Sequence, residues 1–140
     1  MTETIAQNQT NNHPTKKIFI CGSALKGQPD HQNLQSATFL KPAKTRSYYR
    51  LHAAKNGWHP AIYKVESGGI SISGEVYELT LSQYEYLLAT EPPHMYPDDV
   101  VLEDGEIVTA MLYPRELVEK YQWLDISDFG GWAAYKSSLQ

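Results

Sequence analysis

The chain has 140 residues, which suits one domain and leaves too little length for a second. Hydrophobic residues make up 41% and charged residues 20%, proportions that exclude disorder as the state of the whole chain. The net charge is −4 with no basic cluster beyond Lys16-Lys17, so no nucleic-acid footprint is expected; no apolar run is long enough for a membrane span or a secretory leader, and the expected compartment is the cytoplasm.

Residues 1–15 are rich in Thr, Asn and Gln, bury too little apolar surface to offset ordering entropy, and read as a disordered tail before a domain over 16–140. Ile18 to Cys21 is a short apolar strand stopped by Gly22, and a short helix is expected near Pro29. Ser47 to His52 and Ala61 to Val65 read as paired strands around the Asn56-Gly57 turn, followed by a strand over 70–79 that is bent or bulged at Gly74.

Ser82-Gln83-Tyr84-Glu85 fits a capping box for a helix that ends at Thr90, because Glu91 precedes Pro92. Val100 to Leu102 and Ile107 to Tyr113 flank Asp104-Gly105 as a hairpin. Ser127 or Asp128 caps a last short helix through Trp132 to Tyr135, whose aromatic rings dock it on the body. About six strands and three short helices without a strand–helix alternation predict an α+β fold with a curved, mostly antiparallel sheet.

Two places carry candidate chemistry. At Cys21-Gly22-Ser23-Ala24-Leu25 a buried strand opens into a loop whose backbone N–H groups suit a carboxylate or a developing oxyanion; the alternative is a strand end with a packed cysteine. Glu91 lies before Pro92-Pro93, where partial desolvation would raise its pKa toward that of a general base; the alternative is a solvated acid at a helix end. The lone cysteine, Cys21, excludes an internal disulfide and reads either as a nucleophile or as inert packing, and Ser23 has no evident histidine partner in sequence. The five histidines include no i, i+4 ligand pair, so neither a metal nor another cofactor is expected.

The order of these pieces resembles the γ-glutamylcyclotransferase-like proteins. The resemblance rests on the Cys21–Leu25 loop after the first strand, Pro60-Ala61, the Gly74-Glu75-Val76-Tyr77-Glu78-Leu79 strand, Glu91 after a leucine-bearing helix, and Tyr113 on the last long strand. A closer likeness, covering about residues 17–136, is to the C-terminal domain of allophanate hydrolases. It is carried by Gly22 with Leu25, Gly27-Gln28-Pro29, Tyr49-Arg50-Leu51, Gly68-Gly69, Asp104-Gly105 and, most specifically, Asp125-Ile126-Ser127-Asp128-Phe129-Gly130-Gly131-Trp132 with Tyr135.

The resemblance implies a curved, mostly antiparallel β-barrel or sheet with a few short helices. It implies Glu91 as catalytic acid/base, and Cys21, Gly22, Ser23, Ala24, Leu25 and Tyr113 as substrate-binding residues, for a small amide, carboxylate or urea-like metabolite. The alternative it permits is a non-catalytic metabolite-binding or accessory module of urea and nitrogen metabolism. Ala24 stands where the allophanate hydrolase domain carries a histidine, and the chain lacks the Ser-Ser-Lys amidase apparatus, so a separate amidase is an expected partner.

Overall fold

The structure is a computed structural model that describes residues 14–22, 24–28, 31–34, 36–57, 59–90 and 94–139, with Asn33 and Asn56 described by backbone alone. Most of the expected polar tail lies outside these residues, but its last member, Thr15, opens the first strand and pairs with Thr80. Among the described residues the strands are β1 (Thr15–Ile20), β2 (Thr38–Lys44), β3 (Tyr49–Ala54), β4 (His59–Lys64), β5 (Ser73–Thr80), β6 (Tyr96–Val101), β7 (Ile107–Leu112) and β8 (Leu124–Asp125). The α-helices are α1 (Leu81–Thr90), α2 (Arg115–Tyr121) and α3 (Trp132–Ser138), and short 3-10 turns cover His31–Leu34, Lys55–Gly57 and Ser127–Phe129.

The strands form a five-stranded sheet, ordered β2-β5-β1-β7-β6, and a three-stranded sheet, ordered β4-β3-β8. Every strand pairing is antiparallel except β1 with β7, so the α+β, mostly antiparallel expectation holds. Among the described residues the strands form no closed barrel; the sheet form of the expectation is what is observed. The edges of the larger sheet approach at one end, where the Arg46 N–H donates to Val101 O at 2.9 Å and the Glu103 N–H donates to Lys44 O at 2.9 Å.

β1 lies at the centre of the larger sheet, and Ile18, Phe19 and Ile20 are buried in succession, as a strand covered on both faces requires. The bulge expected at Gly74 of β5 is not where the register slips: the irregularity lies in the neighbouring strand, between Phe39 and Lys41 of β2. Gly74 answers a different need. A Cβ there would stand 2.4 Å from Ile20 O and 2.5 Å from the Phe19 ring, so a glycine lets β5 lie close to β1.

β2 and α2 were not anticipated. β2 is an edge strand, largely exposed, with Pro42 inside it, so it lacks the alternating burial that marks a strand in sequence. α2 has seven residues and no side-chain cap bond. The short helix expected at Pro29 is the 3-10 turn over His31–Leu34, and Pro29 itself lies outside the described residues. The C-terminal helix is divided into the Ser127–Phe129 turn and α3 at Gly130, but Trp132 and Tyr135 are buried as expected.

The main core lies on β1, β5 and β7 with the inner face of β3. A smaller one, built from Ala54, Ala61, Tyr63, Tyr113 and Val118, joins the three-stranded sheet to α2. No helix of the described residues is long and apolar enough to cross a membrane.

Candidate functional site

The Cys21–Leu25 loop follows the end of the central strand β1, and hydrogen bonds within the chain hold its described residues. The Leu25 N–H donates to Gly22 O at 3.0 Å, closing a turn, and the Gln28 N–H donates to Leu25 O at 2.9 Å. His31 Nδ1 lies 2.9 Å from Ala24 O. Because a carbonyl only accepts, that contact places the proton on Nδ1 and leaves Nε2 as the acceptor nitrogen of the neutral ring.

The far side of the loop is tied to β5. Glu75 Oε1 accepts from the Lys26 N–H at 3.2 Å and from the Tyr77 hydroxyl at 3.0 Å. Burial, and then the Glu75 carboxylate, push the Tyr77 hydroxyl far above its ordinary pKa, so it stays a donor. Two motifs far apart in the sequence, the loop and the Gly74–Leu79 strand, are thus joined by hydrogen bonds. The N–H groups of Leu25 and Lys26 are already engaged in holding the loop.

Beneath the loop is a narrow hollow of about 40 Å³, enough for a few water-sized atoms. Cys21, Gly22 and Ala24 form one wall, His59 and Pro60 of β4 another, and Met95 with Met111 a third. Gly22 is needed for the second wall to come this close, since a Cβ on it would stand 2.1 Å from Pro60 Cγ. The parallel register of β1 and β7, Ile18 against Thr109, brings Met111 to the same end of the sheet as the loop.

The remaining expected site residues do not all meet there. Leu25 turns into the core and borders a separate cleft with Glu75 and Trp132. Tyr113 is buried in the smaller core, its N–H donating to Ile62 O at 3.0 Å, and it lines another hollow beside α2. Ser23 and Glu91 lie outside the described residues. His59, Met95 and Met111 were not anticipated; the one signal in sequence was the position of His59 next to Pro60-Ala61. Among the described residues, no three His, Cys, Asp or Glu side chains converge as a metal site would need.

A second polar cluster links the Asp125–Trp132 block to β3. Asp125 Oδ2 accepts from Arg50 at 2.6 Å, and Asp125 Oδ1 accepts from the Ser127 N–H at 2.9 Å. Burial pushes the Asp125 carboxyl up, but the bonds from Ser127 and Arg50 outweigh it and hold the carboxyl at about 2. The Leu51 N–H donates to Ser127 Oγ at 2.9 Å, and Ser127 is buried. This block therefore acts as a clasp on the middle strand of the small sheet and lies apart from the loop hollow.

The family model of the allophanate hydrolase C-terminal domain matches residues 16–137. Urea amidolyase of Saccharomyces cerevisiae is 31% identical over 130 residues, covering 89% of this chain and 7% of that protein. Gamma-glutamylaminecyclotransferase C of Danio rerio is 33% identical over 78 residues, covering 52% of this chain and 51% of that protein. The chain thus spans a small part of the first relative and about half of the second. A crystal structure of a uropathogenic E. coli-specific protein superposes with a TM-score of 0.82 at 27% identity, covering 89% of this chain and 97% of that one.

Proposed function

This chain belongs to the allophanate hydrolase C-terminal domain family, and from that footing we propose that it is a cyclotransferase-like enzyme for a small amide, carboxylate or urea-like metabolite. The observation that supports this most is the braced loop: Ala24 O is held by His31 and the Lys26 N–H by Glu75, while Cys21, Gly22 and Ala24 line a hollow of a few atoms' volume. A fixed backbone turn of this kind is preorganised for developing negative charge, because it needs no rearrangement as the charge forms.

In the proposed reaction Glu91 takes a proton from the attacking amine of the substrate, and the amine nitrogen bonds to the carbonyl carbon. The carbonyl oxygen becomes an oxyanion held by N–H groups of the loop other than those of Leu25 and Lys26, which are engaged elsewhere. The carbon–nitrogen bond to the leaving amine then breaks, and Glu91 returns the proton to that amine. This reading calls on no metal or other cofactor, and the compartment we propose for it is the cytoplasm.

A second reading is favoured by Ala24 and by the smallness of the hollow: a metabolite-binding or accessory module working beside a separate amidase. The first reading is tested by screening γ-glutamyl amines, γ-glutamyl peptides and carboxylated ureas with purified protein. Glu91→Gln is expected to lower turnover on the order of 10²-fold or more at unchanged melting temperature. Full activity of the variant on a confirmed substrate overturns the role of Glu91, and absence of turnover on the whole panel favours the accessory module.

A further inference from the structure

Left-handed backbone at non-glycine residues occurs at three described positions, Lys55 (φ 51°), His94 (φ 77°) and Gln122 (φ 54°). Two of the three border one hollow of about 330 Å³ beside α2, and the third lies next to it in sequence. Lys55 and His94 line it, and Gln122 lies between Tyr121 and Trp123, which line it with Tyr113 and Leu117. Gln122 has a local reason, as the cap that ends α2, where its N–H meets Val118 O and Glu119 O. Lys55 and His94 come from unrelated segments, and such backbone persists where surrounding structure holds it and gathers at ligand clamps.

The wall is a graded stack of rings. Tyr113, fully buried, meets Trp123 edge to face at 5.3 Å and 77°, and Trp123 stacks on Tyr121 at 5.4 Å and 22°. Tyr121 is half exposed, so the stack runs from the core to the surface. The Lys120 ammonium already sits over the Tyr121 ring at 5.5 Å, which leaves that face less suited to a cationic guest. Lys55 and His94 line the same hollow, where the lysine brings a positive charge and both side chains bring N–H donors.

We infer that this hollow binds a flat, unsaturated small anion, its ring body against Tyr113 and Trp123 and its carboxylate toward Lys55 and His94. A volume of about 330 Å³ suits a ligand of one or two fused rings. The site is separate from the loop hollow, and the inference holds whether or not the chain is a catalyst.

Three probes separate the two recognition elements: 2-naphthoate, neutral 2-naphthamide, and cyclohexanecarboxylate, which keeps the charge but is not flat. Titration followed by amide chemical shifts should show saturable binding of 2-naphthoate, with shifts at Leu117, Tyr121 and Trp123 and weaker binding of the other two. Lys55→Gln should weaken 2-naphthoate by up to about fivefold and leave 2-naphthamide unchanged, as expected for an exposed ion pair. Trp123→Leu should abolish binding of all three; if that variant does not fold, Tyr121→Ser, at an exposed position, should weaken the flat probes alone. The inference is overturned if 2-naphthoate does not saturate, if its shifts fall on the Cys21–Leu25 loop instead, or if Lys55→Gln binds it as tightly as the parent.

Discussion

Pro60 Cγ occupies the space that a side chain on Gly22 would need: a Cβ built there stands 2.1 Å from Cγ and 2.5 Å from Cδ. Real atoms do not approach so closely, so Gly22→Ala must move either the loop or β4. Overpacking of this kind costs about 1–3 kcal/mol. Gly22→Ala is expected to lower the denaturant midpoint accordingly, and Pro60→Ala in the same chain should recover part of the loss. Equal losses with and without the proline substitution would show that this contact is not the cause.

The helix start is decided by Thr80 and Gln83. The Thr80 N–H donates to Gln83 Oε1 at 2.8 Å, and the Gln83 N–H lies 3.2 Å from Thr80 Oγ1, a reciprocal capping box two residues before the Ser82–Glu85 box expected from sequence. Thr80→Ala should cost about 1 kcal/mol, while Ser82→Ala should change stability little. Denaturant melts of the two variants decide between the boxes; a larger loss for Ser82→Ala would reinstate the later start.

Ser127 reaches across to β3, where its hydroxyl accepts the Leu51 N–H at 2.9 Å in a buried setting. Removing it leaves that N–H without its partner, at a cost of about 1–3 kcal/mol. Ser127→Ala should therefore destabilise the fold by that amount, and hydrogen exchange at Leu51 should accelerate. Unchanged exchange at Leu51 would show that the bond is not what protects it.

Stability should fall in acid through His52 and then Asp125. Burial lowers the His52 pKa, opposed by Asp125, whose Oδ2 is 3.7 Å from Nε2; Nδ1 is buried with no hydrogen-bond partner among the described residues. A depressed folded-state pKa means that the unfolded chain binds the proton first. The His52 contribution is thus complete above about pH 6.5 and is lost as pH falls through the lower folded-state value. Asp125, held at about 2, contributes above its unfolded value of about 3.9 and is lost as pH drops toward 2. His52→Phe keeps the ring stacked on Tyr63, and melting temperatures of this variant should be flatter between pH 7 and about 5. A slope identical to the parent's would assign the acid sensitivity elsewhere.

Local patterns were enough to read the β3–β4 pair, the Asp104-Gly105 hairpin and the buried strand that ends at Cys21, because alternation, turn chemistry and apolar runs act over a few residues. The family likeness singled out the loop and the Gly74–Leu79 strand as separate motifs; that they are joined, through the Glu75 bonds to Lys26 and Tyr77, came from the structure. Edge strand β2, with Pro42 inside it, and the seven-residue α2 were invisible because their stability comes from neighbours and not from their own sequence pattern.

The sequence by itself determined the α+β class, the position of the loop at a strand end, and the chemical types available there. Only the tertiary structure decided which residues share a hollow. His59, Met95 and Met111 reach the loop while Leu25 and Tyr113 turn away from it. That sorting depends on strand register and sheet order, set by contacts between residues as far apart in sequence as Ile18 and Thr109, and no local periodicity records on which side of a sheet a particular loop will close.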